Sequence, residues 1–383
     1  MLQYFHLVST IIPRGSRGAV LALAMAASMP VPHGVAAQSL TKEADLAGIY
    51  ESKILNFWNS RGKRRDFSGI DGVRIASMVF ARPDSTEGIV ILNGYGESFI
   101  KYREIVYDLW QAGYQVYILD HRGQGFSERL IKPNKKQQAD PTVVKSLHDL
   151  GHVERFDDYV IDLKTFVEKI AKPSNARLYL VAHSMGGTIG SLYLEKYAKD
   201  FSAVALSSPM HEPNLSPVPN SLCWLLRLGP RNKYVWGRGP YMEHGDFNPD
   251  RDFTSSQTRY EILKRRELKY SPEAQLGGPS FNWAYQSCKA SRQSVQNAYR
   301  IKTPVLLFQA SNDRLVKPGG QKQFCDAVNS SRRGSCRMEL IGGARHELLI
   351  ESDQYRNAIL NKIIRFFKKQ GGRANRPAST MTP

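Results

Sequence analysis

The chain has 383 residues, 42% hydrophobic and 23% charged, with 53 lysines and arginines against 35 acids and a formal net charge of +18. This length can bury one large core or two modest ones, and the composition excludes a disordered protein. So basic a chain suits an anionic lipid surface or has no specific charged partner. Nucleic acid is not expected, because the sequence carries no helix-turn-helix and no basic-aromatic RNA signature.

Residues 1–37 read as an export signal, with Arg14 and Arg17 as their only formal charges. The apolar run "AVLALAMAASM" follows, and "VAAQ" offers small residues for cleavage after Ala37. Cleavage would remove two arginines and no acid, leaving +16. The run of 11 apolar residues is short for a bilayer span; an uncleaved anchor is the alternative. No cysteine follows it to carry a lipid, and no later stretch is long and apolar enough to cross a membrane. The expected location is therefore periplasmic or secreted, with peripheral membrane contact.

From residue 74 to 209 strands and helices alternate. Strands are expected at "RIASMVFA" (74–81), "GIVILN" (88–93), "YQVYIL" (114–119), "RLYLVA" (177–182) and "AVALSS" (203–208). Their apolar, β-branched character fits strands buried on both faces. The stretch "RFDDYVIDLKTFVEKIAK" has the period of an amphipathic helix and ends before Pro173. This alternation predicts an α/β fold with a mainly parallel sheet and helices on both faces.

The alternation stops at "SSPMHEPNLSPVPNS" and resumes at "TPVLLFQA" (303–310). Between them a structureless loop would be too long, so residues 210–300 are expected to form an inserted helical cap, with a helix at "SQTRYEILKRRELKY". The core then runs over 38–209 and 301–370, with a helix at 319–329, the strand "RMELI" (337–341) and a last helix near 353–369. Residues 371–383 read as a disordered tail.

Export makes disulfides possible for the four cysteines. Cys325 and Cys336 are 11 positions apart, and closing that loop would contribute roughly 3 kcal/mol. Cys223 and Cys288 would then pair, though the spacing leaves connectivity open. No cysteine or Cys/His cluster has metal spacing, and neither a metal nor an organic cofactor is expected.

Ser184 lies where a buried strand meets a glycine-rich helix start, "LVAHSMGG". A strand–Ser–helix turn exposes the hydroxyl above the sheet, and the tight return of the chain demands small neighbours. The pattern departs from G-x-S-x-G in having Ala182 first. A serine nucleophile needs a base and a carboxylate to orient it. Asp313 follows one later strand in "SNDRLV", and His346, the sole histidine beyond His244, follows the next in "GARHELLIE". An oxyanion needs N–H donors: Met185 supplies one, and "NGYGES" nominates Tyr95 for the other.

These motifs, with "LDHRGQGFSER" and "GHVERFDDYVIDL", resemble the α/β-hydrolase superfamily, and within it the bacterial lysophospholipase and monoacylglycerol lipase family. The resemblance implies the α/β-hydrolase fold, Ser184 as nucleophile, Asp313 as acid, His346 as base, and Tyr95 with Met185 at the oxyanion hole. Asn93 stands where many relatives have the histidine of an H-G-x-G motif. The expected activity is ester hydrolysis through an acyl-enzyme, on lysophospholipid first and monoacylglycerol second. A general carboxylesterase, a lipid acyltransferase and a non-catalytic membrane-binding module are the alternatives. Trp224, Trp236, Phe281 and Trp283 are expected to line an acyl-chain pocket, or else to form the core of the cap itself.

Overall fold

A computed structural model describes residues 40–215, 220–243 and 245–374. The expected export signal lies outside the described residues, as does the tail beyond Ala374.

Among the described residues ten strands form: β1 (Lys63–Arg64), β2 (Phe67–Ser68), β3 (Arg74–Ile75), β4 (Ser77–Phe80), β5 (Glu87–Leu92), β6 (Gln115–Leu119), β7 (Arg177–His183), β8 (Ala203–Ser207), β9 (Val305–Ala310) and β10 (Cys336–Ile341). Eight of them make one sheet in the order β1-β4-β6-β5-β7-β8-β9-β10, and β2 pairs with β3 beside it. From β6 to β10 all neighbours are parallel, whereas β1–β4 and β4–β6 are antiparallel. The single strand expected over 74–81 is broken at Ala76, whose N–H bonds instead to the Ser127 hydroxyl at 2.8 Å.

Alternation along the central strands sends side chains to two separate cores. Val90, Leu92, Leu180, Ala182, Val204, Leu206, Val305 and Leu307 pack against helices Asp157–Phe166, Met185–Lys196 and Pro318–Ser331. Ile89, Ile91, Tyr179, Val181, Ala203, Ala205, Leu306 and Phe308 pack against helices Arg103–Gln111 and Asp353–Ala374. The last helix runs to Ala374, so residues 371–374 are helical where a disordered tail was expected.

Between β8 and β9 the chain forms a tight helix, Asn220–Leu228, a helix Gln257–Glu261 that widens over Ile262–Glu267, and a long helix, Phe281–Gln296. Cys223 of the first is bonded to Cys288 of the last, and Cys325 to Cys336.

The fold places function at one edge. The carboxyl ends of β5, β6, β7, β8, β9 and β10 lie side by side, and the loops after them carry Tyr95, Asp120, Ser184, Met210, Asp313 and His346 in turn. Ligands in open α/β sheets bind at this edge.

Candidate active site

Ser184 adopts φ 50° and ψ −116°, a conformation that non-glycine residues rarely take. Such strain costs about 1–3 kcal/mol and persists only where neighbours enforce it. The enforcement is steric. A Cβ on Gly186 would lie 2.6 Å from the carbonyl oxygens of Leu92 and Asn93, and one on Gly187 would lie 2.5 Å from Pro209. The Ala182 methyl faces Gly190 without crowding: even a Cβ added there would stay 3.6 Å from it, an ordinary contact.

The Ser184 Oγ stands 3.0 Å from Nε2 of His346, and the Nδ1 of His346 stands 2.7 Å from Asp313 Oδ2. The other oxygen of Asp313 accepts the N–H groups of Leu315 and Val316 at 2.8 and 2.9 Å, which fixes the carboxylate. Burial pushes the imidazole pKa down, but the Asp313 bond and charge, with Glu347 and Glu97, outweigh it and raise the pKa above its ordinary 6.5. The three sequence-nominated side chains thus form one hydrogen-bonded series.

The Gly94–Gly96 turn, expected to supply an oxyanion donor, is held by side chains. Gly94 N–H donates to Glu97 Oε2 at 2.6 Å and Gly96 N–H to Gln124 Oε1 at 3.4 Å. Among the described residues no acceptor pairs with the Tyr95 N–H between them. Met185 opens its helix, so its N–H has no intrahelical acceptor. Asn93, the departure from H-G-x-G, is buried and donates to Leu119 O at 3.3 Å and Asp120 Oδ1 at 3.1 Å. Asp120 also accepts from Phe99 N–H, Phe126 N–H and the Ser98 hydroxyl, clamping two loops together. Arg122 bonds Asp162 through two nitrogens, at 2.6 and 2.8 Å, and the Ile70 carbonyl at 3.0 Å.

A cavity of about 640 Å³ opens over Ser184 and His346. Tyr95, Met210 and Val316 of the core line it, as do Tyr241, Met242, Leu276 and Trp283 from the insertion. A second chamber of about 200 Å³ shares Tyr95, Glu97, Asp252, Leu315 and Glu347 with it, and has Ile100, Phe253, Leu263 and Ile350 among its walls.

Of the four aromatics expected in the acyl pocket, Trp283 alone lines the cavity. Its ring packs 4.2 Å from that of Tyr95, and its indole N–H donates to the Tyr159 hydroxyl at 3.2 Å. Phe281 is instead buried inside the insertion, edge-on to Trp236 at 4.7 Å. Trp224 and Trp236 are exposed, at 53% and 67%. Sequence reasoning missed Met210, Leu276, the buried Lys101 and the half-buried Glu97 and Glu347. The signal for the charges lay in "GES" and "RHE", where acids flank reacting positions.

Glu97, His183 and Glu347 are the one group of possible metal ligands among the described residues, with ligand atoms within 4.8 Å of one another. The Lys101 ammonium contacts both carboxylates, so a cation is already supplied there.

The family model described as serine aminopeptidase, S33, matches residues 83–353. The chain belongs to this family of α/β-hydrolases. It is 33% identical to lysophospholipase L2 of Escherichia coli K12 over 86% of this chain and 94% of that protein. It is 27% identical to a monoacylglycerol lipase of Mycolicibacterium smegmatis, over 77% of this chain and 94% of that one. Among solved structures, a soluble variant of monoglyceride lipase from Saccharomyces cerevisiae aligns with a TM-score of 0.59 at 21% identity. That alignment covers 81% of this chain and 96% of the other, a likeness of fold.

Proposed function

We propose that this protein is an exported serine hydrolase that cleaves the carboxylic ester of single-chain lipids, lysophospholipids before monoacylglycerols, through an acyl-enzyme. That it is a carboxylic-ester hydrolase follows from its family and its relatives. The observation that carries the mechanism is the Ser184–His346–Asp313 series opening into the capped cavity.

His346 takes the Ser184 proton as the oxygen attacks the ester carbonyl, and Asp313 stabilises the imidazolium that forms. The N–H groups of Tyr95 and Met185 receive the oxyanion. His346 then gives its proton to the departing alcohol, and later draws one from the water that releases the fatty acid. A cavity with aromatic and aliphatic walls suits one acyl chain, and a cap favours a lipid able to leave the bilayer singly. The match to lysophospholipase L2, the higher in identity, supports placing lysophospholipid first.

Export is supported by the leader pattern of residues 1–37 and by two disulfides, which persist in oxidising compartments. Adsorption to anionic membranes is supported by the net charge, +16 once residues 1–37 are removed, and by an insertion that exposes Trp224, Leu228, Trp236 and Met242 as well as Arg227, Lys233 and Arg238.

A panel of lysophospholipids, monoacylglycerols and aminoacyl esters, with and without anionic vesicles, tests the reading. The highest kcat/KM is expected on lysophospholipid, with free fatty acid as product. Efficient cleavage of short monoglycerides with lysophospholipid ignored would reverse the order. Transfer of the chain to a lipid acceptor would make the enzyme an acyltransferase.

A further inference from the structure

Two loops that carry reacting groups meet at one buried ammonium, and the strand end before the nucleophile reaches the same two carboxylates. Lys101 lies on the tight turn Phe99–Tyr102, its side chain 4% exposed, and its Nζ contacts the carboxylates of both Glu97 and Glu347. Glu97 belongs to the loop after β5, where its Oε2 accepts the Gly94 N–H at 2.6 Å and the Tyr102 hydroxyl at 2.7 Å. Glu347 adjoins His346, and its own N–H is tied to the Phe253 carbonyl at 3.0 Å. His183, the residue before the nucleophile, brings Nε2 to 3.3 Å from Glu347 and 3.6 Å from Glu97.

An exposed ion pair of this kind would contribute little. Here the ammonium is buried and the two carboxylates at the cavity wall are mostly so, at 10% and 16% exposed, and removing the ammonium would leave them repelling each other with little water between. Each belongs to a loop that positions a reacting group: the Gly94–Tyr95 turn on one side and His346 on the other. The charges matter as well. His346 is faced by Asp313, Glu347 and Glu97, which favour its protonated form. Against them stand Lys101 and, from the insertion, Lys264, which shares the field of the same two glutamates. The His183 ring packs 4.9 Å away.

We propose that Lys101 is a positioning residue for acyl transfer: it ties the oxyanion turn to the histidine loop and offsets the two glutamates beside the base. The inference rests on the serine mechanism proposed above. Glu97 and Glu347 are the arms of the tie, and Lys101 is the group common to both.

The test compares the full chain as wild type, Lys101→Met, Lys101→Arg and the double variant Lys101→Met/Glu347→Gln, which removes one carboxylate with the ammonium. The measurements are kcat and KM on a soluble ester, the pH profile of kcat/KM, the rate of fluorophosphonate labelling at Ser184, and Tm. Lys101→Met is expected to lose about 10²-fold in kcat with KM little changed, the cost of a small misplacement of reacting groups. Its acid limb should move up by roughly half a pH unit or more, since a neighbouring positive charge has gone. Lys101→Arg should recover most of kcat. The double variant should stay slow while its acid limb falls back, and it carries the comparison if Lys101→Met does not fold.

A folded Lys101→Met or double variant with kcat within about threefold of wild type would overturn the proposal. So would a loss that leaves the acid limb unmoved and that arginine does not relieve, the mark of a merely structural lysine. If the wild type itself is not labelled at Ser184, the serine mechanism fails; if wild type and Lys101→Met label equally fast, the tie alone fails.

Discussion

The Nε2 of His346 stands 3.0 Å from the Oγ of Ser184, across 162 residues of chain. The same ring bonds Asp313 at 2.7 Å, which fixes its orientation and raises its pKa above 6.5. The kcat/KM profile should therefore lose activity as pH falls through a value above 6.5, because the imidazolium cannot accept the serine proton. Asp313→Asn should lower kcat by about 10⁴-fold and move that limb to lower pH. A limb that stays in place in the variant would contradict the assignment of Asp313.

The same raised pKa has a consequence for stability. A histidine that binds its proton more tightly in the folded state stabilises the fold fully below its unfolded pKa near 6.5. That contribution is lost as pH rises through the higher folded value. Urea unfolding of wild type and His346→Ala across this window should show the wild type alone losing the increment.

Gly151 faces the oxyanion turn. A Cβ there would fall 1.9 Å from the Tyr95 hydroxyl and 2.6 Å from its ring, which is held by Trp283 and by a 3.1 Å bond to Gly277 O. Gly151→Ala should destabilise by about 1–3 kcal/mol, as overpacking does. It should also lower kcat by roughly tenfold or more if the displaced ring, held between Trp283 and Gly277, carries the Tyr95 backbone with it. Unchanged kcat on a folded variant would show that the ring yields without moving the Tyr95 N–H.

The two disulfides close loops of very different span, 65 residues for Cys223–Cys288 and 11 for Cys325–Cys336. Chain entropy assigns about 4 and about 3 kcal/mol to them, so the Cys223→Ser/Cys288→Ser pair should lower stability the more. Denaturant titration of the two double variants checks the order.

Trp224 and Trp236 are exposed on the insertion and take no part in the cavity. If they enter the lipid interface, each change to alanine should weaken binding to anionic vesicles by about tenfold. Vesicle co-sedimentation that does not change would remove Trp224 and Trp236 from the membrane contact.

The main strands were legible from their apolar runs, and Ser184, Asp313 and His346 could be nominated because Ser184 directly follows one strand and the other two lie in the loops after later strands at the same sheet edge. Chain order and strand periodicity are enough to see that. Helix Phe281–Gln296 was not legible, and the reason is physical. Its buried face includes Ser287, Ser291 and Ser294, which satisfy themselves against the carbonyls of Ala284, Met210 and Ser291. A face built of small, self-bonded polar residues has no apolar period to read. The cap aromatics misled for the opposite reason: Trp224 and Trp236 look like core, but the cavity wall is made by Met210, Leu276 and Trp283. Buried charges were equally hidden. Arg259, inside the expected helix "SQTRYEILKRRELKY", is buried against Glu104 and Asp353, and no local pattern distinguishes such a residue from a surface one.

The most direct measurement is peptide mass spectrometry of the purified chain after reaction with a fluorophosphonate probe. A covalent serine mechanism places the phosphonyl adduct on Ser184 and requires that His346→Ala suppress it. Labelling at another residue, or full ester turnover by Ser184→Ala, would contradict the account.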